Sequence, residues 1–276
     1  MSQNRYPKIS ETTIITGGCR GLGLACAEIL ISKNLHLSIV DLDPKVSSVY
    51  NETQRFVELK KKSKNVDFYY GNLTNEKIVK KILSSIIKKK FKKINLINFA
   101  GGDITGKDKY ASGSKPKNNN LFIDLKDFKI IFERNFITNY LVSRNFISKI
   151  IKKNIKGQIV NISSISGTYP SFEEFAYSLS KNSIIYLTKV LSKTYRKNDI
   201  RVNCLAPCGT PSARFMNNLR NRTKKDLKRI KLKKGLIGLA SEADISEAVY
   251  FLISNKSKLM SGQIIKIDGG ENSEPV

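Results

Sequence analysis

Seven short apolar runs recur along the chain: Thr12–Thr16, Leu35–Val40, Val66–Tyr70, Ile94–Phe99, Gln158–Ser163, Ile200–Leu205 and Ile264–Ile267. Between them lie longer amphipathic stretches: Leu22–Lys33, Pro44–Ser63, Asn75–Phe91, Phe132–Lys153, Phe175–Lys197 and Ala243–Ile253. The short runs are continuous rather than alternating, which suits strands covered on both faces, as in a parallel sheet. Strands alternating with helices predict right-handed βαβ units. The expected fold class is α/β: a doubly wound parallel sheet of about seven strands with helices on both faces.

Length changes this picture little, because 276 residues fit one domain spanning 1–276. Two segments break the rhythm. Residues 102–120 are rich in Gly, Lys, Ser and Asn, and 208–234 are polar and very basic. Both are expected as insertions bordering a substrate. The polar start, Met1–Glu11, lacks the apolar core of a signal peptide, and no apolar run is long enough to span a membrane.

Composition excludes several chemistries. The four cysteines, Cys19, Cys26, Cys204 and Cys208, form no CxxC pair, and His36 is the only histidine. A Cys/His zinc site therefore has almost no ligands, and no metal is expected. A Ser-His-Asp mechanism would have to run through His36, inside an apolar run that reads as a strand. Reduced, buried thiols point to the cytoplasm. The formal net charge of +26 would suit a polyanion. The lysines are dispersed, however, and aromatics are not interleaved with them as a base-stacking surface requires. Solvated helix faces are expected, and nucleic acid is not an expected partner.

After the first run comes Thr16-Gly17-Gly18-Cys19-Arg20-Gly21-Leu22-Gly23, then a helix. Glycines there let the backbone approach a pyrophosphate, and the helix offers it free N–H groups. The second strand ends at Asp41, at the spacing where a carboxylate meets the adenosine ribose. That favours NAD over NADP, with Arg20 as the opposing influence. Tyr177 and Lys181 stand i, i+4 on one helix face. A phenol with an ordinary pKa near 10 is a poor proton shuttle, and a neighbouring ammonium lowers it. Ser164 follows a strand, so it faces the same crevice.

These motifs together resemble the short-chain dehydrogenase/reductase family over residues 11 to 270, with its Rossmann-type fold. The glycine turn matches in full. Asn98-Phe99-Ala100-Gly101 matches the motif after the fourth strand with one Asn replaced, and Asn135 matches the helix asparagine. Ser261-Gly262-Gln263 and Asp268-Gly269-Gly270 match the final strand and turn. The resemblance implies a catalytic set of Asn135, Ser164, Tyr177 and Lys181. Tyr177 would be the acid/base, Lys181 would lower its pKa and hold the nicotinamide ribose, Ser164 would orient the substrate oxygen, and Asn135 would position a water. It also implies cofactor contacts from Gly17, Arg20, Gly21, Leu22, Gly23, Asp41, Asn72, Leu73, Asn98, Ala100, Gly101, Tyr177, Lys181, Pro207, Thr210 and Ser212. Asn72 stands where an acidic residue is usual, and Cys208 where glycine is usual.

The function implied is NAD-dependent hydride transfer between nicotinamide and a small secondary alcohol or ketone. The alternatives are an NADPH-dependent 3-oxoacyl carrier-protein reductase and, from another class, a non-catalytic regulatory or nucleic-acid-binding relative. Family members also assemble as homodimers or homotetramers, and Ile184-Ile185-Tyr186-Leu187 with Val190 and Leu191 offers apolar surface for this.

Overall fold

The computed structural model describes residues 10–62, 64–88, 91–103, 118–170, 174–217, 236 and 239–271. Most of both expected insertions, 104–117 and 218–234, lies outside the described residues. The strands are β1 (Glu11–Thr16), β2 (Leu37–Asp41), β3 (Val66–Tyr70), β4 (Lys93–Asn98), β5 (Lys156–Ile162), β6 (Ile200–Pro207) and β7 (Ile264–Ile267). They form one parallel sheet in the order β3-β2-β1-β4-β5-β6-β7. The order reverses between β1 and β4, which opens a crevice at the carboxyl ends of those strands.

Neighbouring residues on one strand feed opposite cores. Ile14, Leu96, Ile159 and Val202 pack with Val79, Ile86, Val142 and Phe146 on one face. Ile15, Ile97, Val160 and Leu205 pack with Leu24, Leu30, Val249 and Leu252 on the other. Burial on both faces explains why the runs are continuous.

The helices are α1 (Gly21–Ser32), α2 (Thr53–Lys62), α3 (Glu76–Ile86), α4 (Leu125–Phe132), α5 (Thr138–Lys152), α6 (Phe175–Thr194), the short α7 (Ala213–Asn217) and α8 (Glu242–Ile253). The helix expected over Asn75–Phe91 ends at Ile86, and two other expected helices depart further from the sequence reading. Pro44–Ser63 divides into a 3-10 segment, Pro44–Tyr50, and α2. Asp43 caps the first piece, and Asn51 ends it in the left-handed region at φ 58°. The helix expected from Phe132 begins earlier, at Leu125, and passes through a π-turn, Glu133–Ile137, into α5. Asn75 caps α3, and Ser241 with Asp244 forms a capping box on α8. His36 precedes β2, at the end of the sheet away from the crevice, and its Nδ1 meets Thr12 Oγ1 at 2.9 Å.

Candidate active site

The glycine turn follows from two close approaches. Gly17 has φ 69°, and a Cβ on it would come 2.9 Å from Ala100 Cα. A Cβ on Gly23 would overlap the Gly17 carbonyl oxygen. Only glycine lets the start of α1 sit this close to β1 and β4. Carboxylates hold the turn's amides from below. Cys19 N donates to Asp41 Oδ2 at 2.9 Å, and Gly21 N donates to Glu52 Oε2 at 2.8 Å. Asp41 also accepts from Leu42 N at 2.7 Å. Both acids are buried, at 7% and 4% exposure. Burial raises both carboxyl pKa values, and the amide bonds and Arg20 oppose it.

Glu52 escaped the sequence reading because it sits in a stretch that reads only as a helix face. Its second anchor is Arg55, which also bridges Glu28 of α1 and Glu242 of α8. Arg20 lies over the Tyr50 ring, 5.3 Å from its centroid. Leu22 stands in the first turn of α1. After β3, Leu73 is buried, while Asn72 Oδ1 accepts from Thr74 N at 3.0 Å and Thr74 Oγ1 at 2.9 Å.

A buried amide network supports the crevice floor. Asn98 Nδ2 donates to Asn161 Oδ1 at 2.9 Å and to Ser143 Oγ at 3.1 Å. Asn139 Nδ2 reaches the same Asn161 Oδ1, and Asn161 Nδ2 donates to Thr188 Oγ1 at 2.9 Å. Ala100 N donates to Thr16 Oγ1 at 3.2 Å, tying the segment after β4 to the end of β1.

Four side chains converge above this floor. Ser164 follows β5, and its hydroxyl accepts from Ser166 N at 3.2 Å. Tyr177 and Lys181 lie on α6, with Nζ 5.7 Å from the phenol ring centroid. Lys181 is 5% exposed and donates to Ile162 O at 3.0 Å. Asn135 is fully buried in the π-turn. Its Oδ1 accepts from Gly102 N at 2.7 Å, and its Nδ2 donates to Gly102 O at 3.1 Å and Ile131 O at 2.9 Å. Asn135 thus holds the segment after Gly101 by both backbone polar groups of one residue, Gly102.

Burial raises the Tyr177 pKa above the ordinary phenol value, and Glu174 and Asp103 add to the rise. The Arg214 charge and the Ser164 hydroxyl pull it back. Burial outweighs the lowering that a nearby ammonium was expected to produce. The phenol therefore holds its proton to higher pH than a free tyrosine. Burial lowers the Lys181 pKa to about 8, with the Arg214 charge acting in the same direction and Cys204 against it.

Over the crevice, β6 ends at Pro207 and leads to α7. Cys208 is buried and donates its N–H to Ile267 O at 3.0 Å, so it fits where glycine is usual. Thr210 and Ser212 are buried. Thr210 Oγ1 donates to Cys208 O at 3.2 Å, and Ser212 Oγ accepts from Phe215 N at 3.4 Å at the start of α7.

The description "short chain dehydrogenase" belongs to the family profile that matches residues 11–223. This chain is a short-chain dehydrogenase. A 3-oxoacyl-[acyl-carrier-protein] reductase of Chlamydia trachomatis is 27% identical over 265 residues, covering 95% of this chain and 97% of that one. Glucose 1-dehydrogenase 2 of Bacillus subtilis is 23% identical, covering 96% of each chain. A solved 4-hydroxyisoleucine dehydrogenase bound to NADH is 25% identical, with a TM-score of 0.76 and coverage of 96% and 100%.

Short-chain dehydrogenases are oxidoreductases that use nicotinamide cofactors on CH–OH and C=O groups of small molecules, and so does this chain. Among the described residues, no helix is long and apolar enough to cross a membrane, and no cluster of His, Cys, Asp and Glu could hold a metal.

Proposed function

We propose that this short-chain dehydrogenase prefers NAD and interconverts a secondary alcohol and a ketone, with Tyr177 as acid/base. The observation that carries the catalytic reading is the convergence of Ser164, Tyr177, Lys181 and Asn135 at the carboxyl ends of the strands. The cofactor reading rests on the glycine turn, where Gly17 and Gly23 let the start of α1 sit against the ends of β1 and β4 and present its free N–H groups at the crevice.

Bound nicotinamide supplies or accepts the hydride. In reduction, the protonated Tyr177 phenol donates its proton to the carbonyl oxygen, and in oxidation the phenolate takes it back. Ser164 orients that oxygen by hydrogen bonding. Lys181, cationic below about pH 8, stabilises the phenolate left by donation. Asn135 positions Gly101 and Gly102, which form the wall facing Lys181; a Cβ on Gly101 would lie 3.5 Å from Nζ. The remaining contact residues, from Gly17 and Arg20 through Asn72, Leu73 and Asn98 to Pro207, Thr210 and Ser212, line the cofactor's path.

The NAD preference is supported by two buried carboxylates, Asp41 and Glu52, under the turn where the adenosine ribose would lie. Together they would repel a 2′-phosphate more than Arg20, stacked on Tyr50, would attract it. Titration with NADH and NADPH tests this. NADH is expected to bind at least about tenfold tighter, or ~1.4 kcal/mol. A preference for NADPH would reject this reading and favour the 3-oxoacyl reductase alternative, which the similarity to the chlamydial enzyme supports.

Residues 1–276 form one domain, which calls for a single cooperative unfolding transition. The four free, buried cysteines fit a reducing cytoplasm. A homodimer or homotetramer through α5 and α6 is supported by Tyr186, 69% exposed, with Leu179 and Val190 also exposed on α6. A monomer mass by light scattering would exclude that assembly.

A further inference from the structure

Three arginines from three separate elements form a row that ends beside the reacting pair. Arg134 belongs to the π-turn, Arg214 to α7 and Arg20 to the glycine turn. Arg214 Nη2 donates to the Asp103 carbonyl oxygen at 2.7 Å, and Arg134 Nη1 donates to the same oxygen at 3.3 Å. Arg214 also crosses Gly102 so closely that a Cβ there would overlap its guanidinium. Its charge reaches Tyr177 and Lys181, while the Arg20 charge reaches Arg134. The row therefore runs from the glycine turn to the acid/base.

Arg55 of the same chain is a useful standard. It lies among Glu28, Glu52 and Glu242; burial works against its charge, and Glu28 and Glu242 overcome that to raise its pKa. That is the pattern of a structural arginine, a cation held by acids. Arg134 is different. Its hydrogen bond goes to a neutral carbonyl, which uses one of the five N–H donors a guanidinium carries. Burial first, then the Arg214 and Arg20 charges, lower its pKa to about 10. The Asp103 carboxylate and the Tyr50 phenol oppose them. Three guanidiniums against one carboxylate leave a net positive site that a further anion would stabilise, and guanidiniums bind oxyanions through paired N–H donors.

We propose that Arg134, flanked by Arg214 and Arg20, is the receptor for an oxyanion, a phosphate or a carboxylate, held beside Tyr177 and Lys181. Two carriers share that chemistry: the diphosphate of the dinucleotide, and an anionic group on the substrate. The placement deepens the reading of Tyr177 as the acid/base, yet the anion site can be tested without turnover.

The test is calorimetric titration of the full chain with inorganic pyrophosphate and, separately, NADH, at ~0.15 M salt to screen the diffuse surface charge. Arg134→Met is expected to weaken pyrophosphate binding at least about tenfold, and Arg134→Lys less. A matching loss of NADH affinity assigns the site to the cofactor diphosphate. Unchanged NADH affinity with lost pyrophosphate binding assigns it to a substrate anion. Arg214→Met, on the short α7, is the second variant should Arg134→Met fail to fold, and the same loss is expected of it. The proposal is overturned if parent and variants bind pyrophosphate alike, if Lys153→Met on the surface weakens it as much, or if the parent binds none. Tyr177→Phe tests the acid/base reading separately, since it should abolish turnover and leave pyrophosphate binding intact.

Discussion

The two ends of the crevice use opposite charges for similar work. Under the glycine turn, Asp41 and Glu52 accept hydrogen bonds from backbone N–H groups. Beside Tyr177, Arg134 and Arg214 donate to a backbone carbonyl. Each end thus fixes an irregular segment of chain with a buried or half-buried side chain that also sets the local potential. The parallel sheet supplies the same frame to both. The side chains added to that frame, an acidic pair at one end and two arginines at the other, make the difference.

The sharpest test of this contrast lies at the reacting end. Tyr177→Phe should cut turnover by roughly 10²–10⁴ while NADH binding stays within twofold (~0.4 kcal/mol) of the parent. Unaltered turnover would remove the acid/base from this end. At the acidic end, Asp41→Ala deprives the Cys19 and Leu42 amides of their acceptor. Stability should fall by about 1–3 kcal/mol in chemical denaturation, and the NADH-to-NADPH affinity ratio should narrow by about tenfold. A ratio that does not move would show that Asp41 serves the fold alone.

Lys181→Met tests the reacting end in a quieter way. The folded pKa of Lys181 is about 8 against an ordinary 10.5. Between those values the unfolded chain holds a proton that the folded chain has shed, so parent stability rises with pH across that window. Below about pH 8 both states carry the charge, and the folded state bears its full burial cost. The variant should therefore be more stable than the parent at pH 7, with the gap closing towards pH 10. A constant gap in a pH series of denaturation curves would contradict the burial argument. The smallest effect is expected for Glu52→Gln, which keeps an acceptor for Gly21 N and removes only charge. NADPH affinity should rise by only about two- to threefold, ~0.5 kcal/mol.

The sheet was legible because burial on both faces writes continuous apolar runs, and each expected strand formed, to within two residues at most ends. The glycine turn was legible because only glycine tolerates those approaches. The pairing of Tyr177 with Lys181 was local, one helical turn, and could be read directly. Glu52 and Arg134 were hidden for the opposite reason. Each acts on a partner far along the chain: Gly21 for Glu52 and Asp103 for Arg134. Nothing in the local pattern of a lysine-rich chain marks such a residue. Both departures in the helices likewise depend on backbone geometry, a left-handed Asn51 and a π-turn, that hydrophobic spacing does not encode.

The π-turn has a consequence for the ruler of the helix itself. Phe128, Phe132, Phe136 and Tyr140 recur every four residues, and their rings form a continuous row with centroid spacings of 5.0, 6.1 and 6.2 Å. On an ideal α-helix, with 3.6 residues per turn, a four-residue repeat slips by about 40° at each step and would wander off the face. The wider turn at Glu133–Ile137 takes up the slack, like a leap day that keeps a calendar in phase with its seasons. The same correction sets the angle at which Asn135 enters the crevice. Deleting one residue there would put both the aromatic row and the asparagine out of season together.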